Sequence, residues 1–203
     1  IEVKNLVQQL LGGEKVVVDN QSRMELNKHF TYSLAKGQKS KVVFSRRTSE
    51  GDLVELAEVI YNPREVLGKS STETSIDHTY SFTVPQKPDI VLQLTRRDVE
   101  NGFKLTYLFD AKYRIGDTDI DGVDVPPDDA INQMHRYRDA LYYDPKQEGL
   151  PIKKEVLGGY ILFPGNGKDE DVENANFYRS IEKVNIGAFP LRPNNEGSAH
   201  LLE

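Results

Sequence analysis

At 203 residues, 37% hydrophobic and 29% charged, the chain has the make-up of a soluble globular protein and the length for one well-packed domain; we expect a single domain over 1–203, cut from a longer protein because it opens on Ile1. The absence of cysteine excludes disulfides and thiolate zinc sites and fits a reducing cytoplasm, and no apolar run approaches membrane-spanning length. A formal charge of -6 speaks against a chain whose main work is gripping a phosphate backbone, but not against a cleavage module brought to DNA by another domain.

Along the chain, Glu2 to Leu11 carries Val3, Leu6, Val7, Leu10 and Leu11 at helical spacing and stops at Gly12 and Gly13, which predicts a first helix. Phe30 to Leu34, Lys41 to Phe44 and Val54 to Tyr61 alternate in polarity and predict antiparallel strands separated by turns at Gly37 and Gly51. Residues 68–77, rich in Ser and Thr, read as a loop leading to a strand from Tyr80 to Val84. Pro88 to Leu94 predicts the next strand, with Pro88 tolerated at its first position, where no ladder donor is required, and Asp89 at its entrance. Leu105 to Tyr113 predicts another, and its two-residue period sets Asp110 and Lys112 on one face.

Two aspartates on adjacent strands are half of the oxygen shell that a hard divalent cation takes, the rest coming from water and phosphate oxygens. Asp89 and Asp110 are the candidate pair. A lysine two residues beyond the second ligand is placed to orient or help deprotonate an attacking water, or to neutralise charge developing on phosphorus oxygens; Lys112 is that residue. The plain reading is a strand start followed by a solvated edge pair, because D-x-K is a common triplet.

The stretch from Asp117 to Asp128 has acids at positions 1, 3, 5 and 12 and glycine at 6, as in an EF-hand calcium loop, but Pro126 and Pro127 fall where the exiting helix should begin and position 12 lacks the bidentate glutamate. A flexible acidic loop fits better. Asp128 to Tyr142, acidic in its first turn, predicts a helix that places Gln133 and Tyr137 on one face with Arg136 beside them. His135 has no histidine four residues on to build a zinc pair; a hydrogen bond to Asp139 or to DNA is its alternative. Val156 to Pro164 reads as a buried strand, and the acidic, asparagine-rich stretch after Gly167 as loop with a short helix.

Pro88-Asp89, the phrase Phe109 to Arg114 and the phrase Met134 to Ala140 together resemble the PD-(D/E)XK nuclease superfamily. More narrowly they resemble the branch associated with McrBC-type, 5-methylcytosine-specific restriction systems, where a phrase like Ile186 to Pro193 follows in the same order. Gln133 to Tyr137 also satisfies the Q-x-x-x-Y pattern of the RecB-like branches. The resemblance implies a restriction-endonuclease-like α/β fold, an αβββαβ core with a mixed central sheet flanked by helices, here with extra N-terminal strands. It implies a magnesium- or manganese-dependent DNA endonuclease with Asp89, Asp110, Lys112, Gln133 and Tyr137 as catalytic residues. Asp89, Asp110 and Ala111 would hold the metal, and Arg114, Arg136 and Arg138 would bind DNA. Many relatives add a glutamate from the first helix, for which Glu2 is the candidate. Service in restriction beside an McrB-like NTPase follows from the same likeness, while double-strand cleavage by a single-site nuclease calls for two copies, as in a homodimer, or two binding events. The competing reading is a non-catalytic nucleic-acid-binding or protein-interaction module on this fold.

Overall fold

A computed structural model describes residues 16–20, 24–26, 32–34, 40–47, 50–51, 53–61, 79–84, 86–96, 103–116, 123–143, 151–154, 156–166 and 169–191. The expected first helix with Glu2, the loop 68–77 and most of the acidic loop, residues 117–122, lie outside them.

Seven strands form one sheet: β1 (Val16–Asn20), β4 (Ser40–Arg47), β5 (Leu53–Tyr61), β7 (Ile90–Arg96), β8 (Phe103–Ala111), β11 (Val156–Phe163) and β12 (Ile186–Pro190), hydrogen-bonded in that order. From β1 to β8 neighbours run antiparallel; β8, β11 and β12 run parallel. The change comes where α1 (Asp128–Ala140) lies between β8 and β11 in the chain, as a parallel pair requires a crossover rather than a hairpin. The sheet is thus mixed, and β5, β7, β8, α1 and β11 follow the implied core order, with β1 and β4 as extra N-terminal strands.

Strand alternation gives the sheet two different faces. On one, Ile60, Val91, Leu108, Ile161 and Ala188 meet Ala130, Met134 and Tyr137 of α1 in a single core. The helix sits close because β11 has Gly159 beneath it: a Cβ there would lie 3.1 Å from the Met134 Cβ. On the other face Phe44 and Ala57 pack with Val42, Leu56, Val59, Leu92 and Leu94. There Tyr160 contacts the rings of Tyr107, Phe109 and Phe189. Its hydroxyl donates to Asn185 Oδ1 at 2.8 Å, and burial pushes its ionisation up to about 12.

Several boundaries differ from the sequence reading. The helix stops at Ala140, and Leu141–Tyr143 turns extended as β9, pairing with β6 (Thr79–Ser81) on one side and β10 (Lys153–Lys154) on the other. Two tyrosines suited to a pleated surface, with Phe82 against the Tyr142 ring, favour pairing over another helical turn. The strand expected from Tyr80 to Val84 ends at Ser81, because the Ser81 hydroxyl donates to the Val84 carbonyl at 2.7 Å and folds the chain into a turn. Where loop and a short helix were expected stand α2 (Asp169–Asn174) and α3 (Asn176–Val184), the latter ending on Asn185 in the left-handed conformation, φ 58°. The remaining pair, β2 (Met24–Leu26) and β3 (Tyr32–Leu34), forms its own antiparallel ribbon.

Candidate active site

The β7–β8 ladder ends at the pair Ile90 and Phe109, so one further step along each strand brings Asp89 opposite Asp110 on the helix-covered face. Asp89 replaces the missing ladder bond with its side chain: Oδ2 accepts the Ala111 N–H at 2.9 Å. One carboxylate oxygen of Asp89 is therefore engaged in holding the β8 terminus. Beyond it, the Lys112 N–H donates to the Leu162 carbonyl at 2.8 Å, tying the chain to β11.

Asp110 is 3% exposed, and its Oδ2 forms an ion pair with the Lys112 ammonium. Burial raises its carboxyl above the ordinary value of 3.8; the Lys112 hydrogen bond opposes that shift, and the Asp89 charge adds to it. Two carboxylates thus share a poorly solvated end of the sheet. Such a pair gains most from an added cation.

The helix supplies the third wall. Tyr137 is 6% exposed; its hydroxyl receives a bond from Gln133 Nε2 at 2.5 Å and donates to the Lys87 carbonyl at 2.9 Å. Burial raises the ionisation of this phenol, the Gln133 bond opposes, and the charges of Asp110 and Asp89 raise it further, so Tyr137 stands as a neutral donor. From the sequence, Gln133 and Tyr137 are expected to hold the nucleophilic water or the phosphate backbone of DNA. In the structure their hydrogen bonds run to each other and to the protein main chain, two residues before Asp89.

Asp89, Asp110, Lys112, Gln133 and Tyr137 are thereby brought together. The arginines are placed otherwise. Arg114 Nη2 reaches both oxygens of Asp129, at 2.7 and 2.6 Å, in the first turn of α1, and this holds the Asp129 carboxyl below its usual range. Arg138 donates to the Val184 carbonyl at 2.5 Å, the closing turn of α3. Arg136 and His135 are exposed on α1. Asp139, offered as a partner for His135, pairs with Lys154. The sequence reading missed Asp129 as the seat of Arg114 and the Lys87 carbonyl as the acceptor for Tyr137; neither contact leaves a local spacing signal.

Among the described residues no group of three or more His, Cys, Asp or Glu gathers to hold a metal. The donor set fits a cation that keeps much of its shell as water and substrate oxygen, as magnesium does, with two carboxylates and the main chain of Ala111 at hand. In the calcium-like loop, Asp124, at position 8 where an EF-hand has no ligand, accepts the Asn166 N–H through Oδ2 at 2.7 Å, and Asp128, at position 12, opens α1.

An antiparallel meander joined through a helix to a parallel strand, with paired acids and a lysine where its central strands part, defines a nuclease-type α/β domain. The sequence model of the PD-(D/E)XK nuclease superfamily matches residues 1–168, and the chain belongs to that superfamily. The match runs through β11 and stops before α2, α3 and β12. Searches of curated proteins and of solved structures give no match. Among the described residues no helix is long and apolar enough to cross a membrane.

Proposed function

We propose that this domain is a metal-dependent DNA endonuclease that hydrolyses phosphodiester bonds with magnesium or manganese. The observation that carries the reading is the buried Asp110, set beside Asp89 and paired with the amine of Lys112 two residues on. Asp89, Asp110 and the Ala111 main chain would hold the cation, which supplies Lewis-acid stabilisation of phosphate charge when bound. With Asp110 engaged by the cation, the Lys112 ammonium would be free to turn toward the scissile phosphate or the attacking water. Tyr137 and Gln133 keep the Asp89 segment in register for that exchange. Arg136 faces solvent, where a phosphate can be met, and Arg114 and Arg138 would reach DNA only by leaving Asp129 and the Val184 carbonyl.

The broader setting of the proposal is restriction of foreign DNA in the cytoplasm. An McrB-like NTPase would supply energy coupling and delivery, and two copies would serve double-strand cleavage. The net charge of -6 favours such delivery over independent capture of DNA. The test is nicking and linearisation of supercoiled DNA with magnesium, manganese or calcium, by the wild type, Lys112→Ala and Asp110→Asn, alone and with the NTPase partner. Cleavage that requires magnesium or manganese and disappears in both variants is the expected result. Cleavage that survives both substitutions, or none by the full-length protein with its partner, would sink the proposal.

A further inference from the structure

The residue after Lys112 is the most exposed of the large apolar side chains among the described residues: Tyr113 is 95% exposed, and Ile115 beyond it 43%. The backbone that carries this ring is fixed on both sides. Lys112 N–H is bonded to the Leu162 carbonyl before it, Arg114 grips Asp129 with both oxygens after it, and Gly116 N–H bonds the Val125 carbonyl at 2.7 Å. The turn is tight enough that a Cβ on Gly116 would lie 2.9 Å from the Pro126 carbonyl oxygen. An aromatic ring is therefore presented to solvent from an anchored turn, with its Cα about 3.8 Å from that of Lys112. The ring thus follows, one residue on, the lysine proposed to meet the scissile phosphate.

The charges around the site leave a need that such a ring meets. Lys112 is paired with Asp110, Arg114 with Asp129, and Arg138 with a main-chain carbonyl, which leaves Arg136 as the exposed cation of α1, and the chain as a whole carries -6. Counterion release is then a weak source of grip, and stacking is the source that does not depend on charge. A base inside a duplex has both faces covered by its neighbours and cannot receive the ring; an unpaired base can.

We propose that Tyr113 is a stacking platform for an unpaired nucleobase flanking the scissile phosphate, so that the site selects single-stranded or locally opened DNA. The inference rests on the nuclease reading and adds a substrate form to it. The chain contains no tryptophan, so Tyr113→Trp installs a single indole reporter. Its emission would be titrated with end-labelled single-stranded oligodeoxythymidine and with a hairpin duplex, in calcium, while the anisotropy of the label reports binding independently. The expected result is quenching by the single strand. Tyr113→Ala should weaken single-strand binding ~10-fold and leave the hairpin within about twofold. Anisotropy that reports single-strand binding with no change in indole emission, or equal losses on both DNAs, would overturn the stacking role and leave the nuclease reading intact. Binding of neither DNA, even with the NTPase partner present, would remove both.

Discussion

Two lysine–carboxylate pairs sit on the helix-covered face of the sheet. Lys41 and Glu58 lie on neighbouring strands, β4 and β5, and Glu58 is 2% exposed. Its register neighbours are Val43 and Gln93, and Gln93 in turn donates to Thr106 Oγ1 at 3.3 Å, so uncharged side chains surround this carboxylate along the row. Asp110 lies at the end of β8 and Lys112 just past it, with the second carboxylate of Asp89 alongside. Between the two rows run Ile60, Val91 and Leu108, which insulate one pair from the other. The first arrangement closes a charge inside the sheet. The second leaves an acid pair only half neutralised at a sheet end, where the proposed cation would bind. Burial alone does not separate them; the neighbouring acid and the position along the strand do.

The largest expected effect breaks the second pair. Lys112→Ala should lower cleavage at least ~100-fold, the range for loss of a positioned proton-transfer or charge-stabilising group, and, because it strands the buried Asp110 carboxylate beside Asp89, should also lower the melting temperature in the absence of a divalent cation. Lys41→Met should cost stability alone. It strands the Glu58 carboxylate and should cost about 3 kcal/mol of stability, less than for a fully enclosed pair because the Lys41 side chain keeps 26% exposure, while activity per folded molecule stays at the wild-type level. The double change Lys41→Met with Glu58→Leu should recover most of that stability in urea unfolding. If Lys41→Met were instead to abolish cleavage without destabilising the chain, the two pairs would not differ in role.

Next in size is Tyr137→Phe, which separates holding Asp89 in place from reacting. Removing the hydroxyl leaves the Lys87 carbonyl and Gln133 amide without their partner, for a loss of about 1 kcal/mol. Because Asp89 follows Lys87 by two residues, magnesium affinity should weaken together with activity. A fall in turnover at unchanged magnesium affinity and stability would mean that Tyr137 acts on substrate directly.

Much of this site was legible because its side chains lie in two short runs whose strand period is visible: Asp89 at a strand entrance, Asp110 and Lys112 two apart. Gln133 and Tyr137 were legible as a pair four apart on a helix, though not as a clamp on Lys87, since that contact spans 50 residues. The same limit explains Arg114, whose partner Asp129 is 15 residues on and becomes a neighbour only when α1 folds back on the sheet. Leu141–Tyr143 continued the helical pattern in the chain and left it in the fold, because β6 and β10 offered pairing that no local propensity records.

The smallest effect concerns Asp110 itself and is read from pH. Its folded-state ionisation lies above 3.8, chiefly through burial, so the folded chain keeps this proton to a higher pH than the unfolded chain does. Between 3.8 and the raised value unfolding releases a proton, and stability falls as pH rises; above that window the penalty for a buried charge is present in full. Asp110→Asn removes the titration. The variant should melt higher than the wild type at neutral pH, with the two curves converging as pH falls to 3.8. A divalent cation should reverse the order, stabilising the wild type at neutral pH and leaving the variant nearly unmoved, since the cation takes the place of the proton on Asp110. Equal stabilisation of both proteins would put the cation elsewhere, and the end of β8 would then be a second closed pair like that of Lys41 and Glu58.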